Sequence, residues 1–107
     1  MKTPLILSLL LKASVSGATT PDKDVTVDIH DFTFAPGSIT VLAGTTVHWK
    51  NHDGEPHTVR GIEAAFRSDP LDQNDSFTYK FDKPGTYRYA CSIHPQMTAT
   101  VVVKAAP

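Results

Sequence analysis

The chain has 107 residues, with 10 Lys and Arg against 11 Asp and Glu and a net charge of −1. That length suits one domain, and the even charge balance offers no basic surface for nucleic acid. Cys91 is the only cysteine, which excludes an internal disulfide.

Residues 1–18 read as a secretory signal peptide. Lys2 gives a positive start, Pro4–Leu11 is an apolar run, and Ser16 and Ala18 stand as at a small-residue cleavage site. The run is too short to span a bilayer, and no later run is long enough, so no membrane insertion is expected. Cleavage after Ala18 leaves residues 19–107 as the folded domain, and losing Lys2 and Lys12 makes it more acidic. An exported chain with one cysteine leaves a reactive thiol unless something holds it, and a metal would hold it.

Short runs rich in β-branched and aromatic residues then alternate with turn signals. Val25–His30 alternates, with Val25, Val27 and Ile29 on one side, and Phe32 and Phe34 carry the apolar pattern to a turn at Ala35-Pro36-Gly37. Ser38–Leu42 and Thr45–Asn51 read as strands, the latter with Val47, Trp49 and Asn51 on one face. His57–Arg60 reads as a short strand, and Gly61–Asp75 is irregular, with a helical turn suggested near Ile62–Phe66. Ser76–Phe81, Thr86–Cys91 and Thr98–Val103 complete the series, with Lys83-Pro84-Gly85 as a turn. Seven or eight short strands at this spacing predict an all-β, antiparallel sandwich.

The chemistry gathers in two places. Cys91 ends a strand on its inward face, His94 follows three residues later and Met97 three after that; His57 opens a strand elsewhere. Taken singly, such a cysteine or methionine is more often core filler, and a lone histidine more often a surface residue. Together they supply one thiolate, two imidazoles and a thioether, the donor set of a blue-copper centre. His30 and His48 are expected on the surface, and His52 in a loop near the site without being a ligand. Asp53, Glu55, Asp69, Asp72 and Asp75 read as a solvated acidic face suited to steer a basic partner.

From Val25 to Lys104 the chain resembles the cupredoxins, most closely the amicyanin-like and plastocyanin-like members. The motifs are Phe32-x-Phe34-x-Pro36, Val47-x-Trp49-x-Asn51, Pro56-His57 and Pro84-Gly85-Thr86-Tyr87-x-Tyr89-x-Cys91. The resemblance implies a Greek-key sandwich with His57, Cys91, His94 and Met97 as ligands to one type 1 copper per chain, His94 being the solvent-facing one. It also implies that Asn51 ties its loop to the cysteine loop through Ser92. The chain departs from the amicyanin pattern at Ile93, where Pro is common, and at Gln96, where an aromatic is common. Ile93 retains a backbone N–H that Pro would lack, and that N–H and the one on Asn51 are both expected to approach the Cys91 sulfur.

The implied function is a monomeric periplasmic electron carrier that cycles Cu(II) and Cu(I) between transient protein donors and acceptors. The second reading is a copper carrier or buffer that serves an oxidase or copper tolerance. No Ser/His/Asp arrangement or carboxylate pair has motif support, so no enzymatic activity is expected.

Overall fold

The structure, a computed structural model, describes residues 24–63 and 66–107. The signal-peptide reading over residues 1–18 lies outside them. So does part of the suggested helical turn, at residues 64–65; among the described residues there is no helix.

Eight strands form in chain order: β1 (Asp24–His30), β2 (Thr33–Ala35), β3 (Ser38–Leu42), β4 (Thr45–Asn51), β5 (Arg60–Gly61), β6 (Ser76–Phe81), β7 (Gly85–Ala90) and β8 (Thr98–Lys104). They make two four-stranded sheets, ordered β2-β1-β4-β6 and β3-β8-β7-β5. The all-β sandwich is as expected, but the sheets are mixed rather than antiparallel. β1 runs parallel to β4, and β3 parallel to β8. The reason is connectivity. β2 returns beside β1 as a hairpin and β3 then crosses to the other sheet, so β4 comes back beside β1 in the same direction. Only hairpin neighbours are forced to alternate.

Period-two alternation sets the core. Along β4 the burial alternates, with Val47, Trp49 and Asn51 fully enclosed and Lys50 outside. On β8, Ala99, Val101 and Val103 turn inward. Trp49 sits at the centre, stacked on Phe66 at 6.1 Å and edge-on to Tyr89 at 5.4 Å between ring centroids. Such offset and edge-on contacts suit the aromatic quadrupole. β6 lies at a sheet edge, so Tyr79 shares the apolar face with Phe81 yet remains partly exposed, resting on Phe66.

The strand expected at His57–Arg60 shrinks to Arg60–Gly61. His57 makes only an isolated bridge to Leu71, and the next two amides leave the ladder. Thr58 N–H points to the Cys91 sulfur and Val59 N–H to Ser68 Oγ. The segment spends its donors on side chains, so no regular strand forms.

Three connections meet at one end of the sandwich: the β1–β2 turn, the β4–β5 loop and the β7–β8 loop. They carry Phe32, His57 and Cys91–Met97 respectively. Trp49→Ala should remove the packing centre below them and cost about 3–5 kcal/mol of stability. Urea unfolding of the metal-free protein measures this; a loss within experimental error of zero contradicts the assigned core.

Candidate metal centre

Cys91 follows the last residue of β7 and continues its inward alternation, so its side chain lies between the sheets at 0% exposure. The loop after it is closed by its own backbone: Cys91 N–H donates to Met97 O at 3.1 Å, and Met97 N–H donates to His94 O at 2.9 Å. That closure folds the seven residues Cys91–Met97 into a compact arc and buries Met97. His57 enters from the other loop, held by reciprocal backbone bonds with Leu71 at 3.1 and 2.7 Å.

His57 Nδ1 and His94 Nδ1 each lie 3.9 Å from Cys91 Sγ. The ligating atoms of His57, Cys91 and His94 all fall within 4.8 Å of one another, a span that one small ion bridges. His57 and Cys91 are fully enclosed, whereas His94 is half-buried and reaches the surface. Of the four residues singled out in the sequence, three therefore converge on one point, and Met97 is buried on the same short loop. A soft thiolate and thioether with two imidazoles suit copper above harder cations. The other histidines stand apart: His30 pairs with Asp31, His48 with Asp24 and His52 with Asp28.

Around these side chains the structure supplies a second layer that spacing did not reveal. Asp53 was expected on a solvated acidic face; instead its side chain is 12% exposed and organises the site. Its Oδ2 accepts from His57 Nε2–H at 2.9 Å, which leaves the lone pair of Nδ1 facing the sulfur. The same carboxylate accepts the N–H of Asp31 at 2.8 Å and of Phe32 at 2.9 Å. Burial works against the charge on Asp53, but the bonds from Phe32, His57 and Asp31 outweigh it and hold the carboxyl below its ordinary value. Those bonds also fix a tight turn in which Asp31 and Phe32 both have positive φ, 52° and 56°. Such a conformation is costly for a bulky residue. It sets Phe32 edge-on over both imidazoles, 5.0 Å from His57 and 4.8 Å from His94 between ring centroids.

The tie between the two loops also differs from expectation. Thr58, not Asn51, reaches the cysteine loop: its Oγ1 accepts the N–H of Ser92 at 2.7 Å and shares a hydrogen bond with Ser92 Oγ at 2.8 Å. Asn51 instead braces its own loop, donating from Nδ2 to Glu55 O and Leu71 O and accepting the N–H of Asp53. Its backbone N–H goes to Asp75 O rather than to sulfur. The amides near Sγ belong to Thr58, at 3.3 Å, and to His94 rather than Ile93.

Residues 3–103 match the family described as a cupredoxin-like domain. The chain belongs to the cupredoxin-like family. It is 34% identical over 95 residues to an amicyanin from Paracoccus versutus, covering 84% of this chain and 72% of that one. It is 36% identical over 98 residues to a plastocyanin from Scenedesmus fuscus, covering 76% of this chain and all of the other. A solved amicyanin variant in its oxidised state superposes with a TM-score of 0.73 at 31% identity, over 77% of this chain and 83% of that one. Copper, the cofactor expected from the sequence, is the one that this family and this donor set fit.

The hydrogen bonds to sulfur have a measurable consequence. Burial raises the Cys91 thiol, but the Thr58 amide and the polar contacts with His57 and His94 prevail and bring it from an ordinary 9.0 down to about 6. A folded-state value below the unfolded one stabilises the protein above the unfolded value, and the gain is lost as pH falls through the folded value. Metal-free protein should therefore show thiolate absorbance rising with a midpoint near pH 6, and should become more stable from about pH 6 towards pH 9. Ultraviolet titration and urea unfolding across that window check both, with Cys91→Ala as the flat control; a thiol midpoint near 9.0 contradicts the assigned hydrogen bonds.

Proposed function

We propose that this cupredoxin-like protein is an exported, periplasmic blue-copper electron carrier that holds one copper through His57, Cys91, His94 and Met97. The observation that carries the reading is the convergence of two imidazole nitrogens on an enclosed thiolate, each 3.9 Å from the sulfur. Copper bound there supplies a one-electron couple between Cu(II) and Cu(I). The chain's own residues do the rest. Asp53 fixes the ring and tautomer of His57, Thr58 locks the sulfur-bearing loop to the histidine loop, and Phe32 excludes water from the imidazole faces. Ligands held this firmly move little when the charge of the ion changes, and small movement makes electron transfer fast.

The half-buried edge of His94 is the natural point for electrons to cross. Phe32, 44% exposed, and Ile93, 45% exposed, put apolar surface beside it, suited to brief contact with a protein donor or acceptor. Copper delivery is the weaker reading. A carrier that hands over metal needs accessible ligands, whereas here Cys91 and His57 are sealed and Met97 is nearly so. Export rests on the reading of residues 1–18; a monomer fits the small contact that brief encounters need.

Two measurements test the copper reading. The Cu(II) protein should be intensely blue from thiolate-to-copper charge transfer, lose the colour in Cys91→Ser, and keep it in Met97→Leu with a raised midpoint potential, because axial donation favours Cu(II). A colourless one-to-one complex, or colour that survives Cys91→Ser, overturns it.

Ligands from two separate loops also mean that the ion cross-links the fold, and a metal bound only by the native state adds its binding free energy to stability. The copper-loaded protein should melt well above the metal-free one by calorimetry. Coincident transitions at saturating copper would refute a site built from both loops.

A further inference from the structure

Beside the cysteine loop lies a groove of about 510 Å³, lined by Arg60, Ile62, Arg67, Cys91, Ser92 and Pro95 among others, with Phe32, Ile93 and His94 outside its lining. Its two arginines face each other across an isolated antiparallel bridge. Like charges set directly opposite on paired segments are destabilising unless a counter-charge lies between them. Among the described residues no acidic side chain pairs with either arginine. Of the acids on the same stretch, Glu63 is taken by Arg88, and Asp69, two residues beyond Arg67, makes no ion pair with either arginine. Two fully charged guanidinium groups are thus left in the open on a chain whose net charge is negative. Between them and the sulfur the surface is apolar: Ile62 is 43% exposed, and Ala90 and Pro95 line the floor.

The position matters as much as the charge. Arg60 is the register partner of Ala90 in the β5–β7 ladder, and Ala90 is bonded to Cys91. A partner seated on Arg60 is therefore one strand pairing and one peptide unit from the thiolate, on a path that does not pass through His94. A second, smaller groove of about 290 Å³ shares Ile62 and extends the surface past Arg88. Arg88 adds no free charge there, because Glu63 holds it.

We propose that this groove is a second docking surface, for the acidic face of a protein redox partner. Carboxylates of the partner take Arg60 and Arg67, whose planar forks match a carboxylate pairwise, while Ile62 and Pro95 supply the apolar contact between them. Charge complementarity selects an acidic occupant, and the apolar floor selects a protein face over a bare ion. The surface is separate from the rim of Phe32 and Ile93 around His94, so donor and acceptor need not compete for one site.

The proposal rests on the electron-carrier reading, whose own failure would show first as absence of blue colour on loading. The groove is tested separately. The full copper-loaded chain, isotope-labelled and reduced to Cu(I), is titrated with a short polyglutamate peptide at low ionic strength and followed by amide NMR shifts. The expected result is saturable shifts centred on Arg60, Gly61, Arg67 and Ala90, weakened about tenfold by Arg60→Gln with Arg67→Gln. Unchanged colour in that double variant shows that the fold and copper site persist. Shifts centred on Phe32, Ile93 and His94, or binding indifferent to the double substitution, overturn the proposal. Ferrocyanide serves as the small-anion control: if it shifts these amides and the peptide does not, the groove is a small-anion site and the docking proposal is overturned.

Discussion

One carboxylate holds the metal end of this molecule together. Asp53 accepts hydrogen bonds from a side chain and two backbone amides that belong to different connections: the ring of His57 and the N–H groups of Asp31 and Phe32. A buried carboxylate is costly unless its lone pairs are used, and here three donors use them. In return the imidazole is locked with its Nδ1 inward, and a turn with two positive φ angles becomes tenable. Without the carboxylate, Phe32 would be expected to leave a conformation that bulky side chains avoid, and both rings beneath it would meet water.

Thr58 performs the corresponding task between the two ligand-bearing loops. Its amide aims at the Cys91 sulfur while its hydroxyl occupies both the amide and the hydroxyl of Ser92. The donors at sulfur favour thiolate over thiol before any ion arrives. They also draw charge away from the sulfur once it is bound, and hydrogen bonding around this atom is one of the levers on the potential of such centres. Protein structure thus sets the ligand's ionisation, position and donor strength through one residue that is not itself a ligand.

How much of this the sequence disclosed follows from the range of each interaction. Ser38–Leu42, Thr45–Asn51 and Ser76–Phe81 were readable to the residue, because period-two alternation between clear turn residues is a local signal. The four proposed ligands were readable because Cys91, His94 and Met97 share one short loop, and few residue types hold a soft metal. The β1–β2 hairpin was not, since its turn is Asp31-Phe32 rather than the Asn-Gly or Asp-Gly that usually marks positive φ. Its stability comes from a carboxylate more than twenty residues away, and nothing local announces it. The parallel pairings and the role of Thr58 were hidden for the same reason: each is a contact between segments whose meeting only the whole topology decides. Asp53 offered a faint signal, an acid four residues before a candidate ligand, but the charged residues around it made it look like one more solvated side chain.

The same distinction between local pattern and long-range placement governs the surface. By composition the chain is nearly neutral and slightly acidic, which by itself would predict indifference to acidic partners and mild attraction to basic ones. Placement reverses that locally. On the outer face of the β1–β4 pair, Asp24 and Asp28 are each matched by a histidine, His48 and His52. Asp53 is turned inward to His57, and Glu63 is taken by Arg88. Several acids are thus spent on partners within the chain, while Arg60 and Arg67 are not. At separations shorter than a Debye length the nearest unpaired charges dominate an encounter over the distant net charge. Arg60 and Arg67 therefore place a local pair of positive charges on the cysteine side of the molecule, although the protein as a whole is slightly acidic. That pair lies beside the sulfur, whereas the apolar rim lies beside His94, so the two faces would sort partners by different physics.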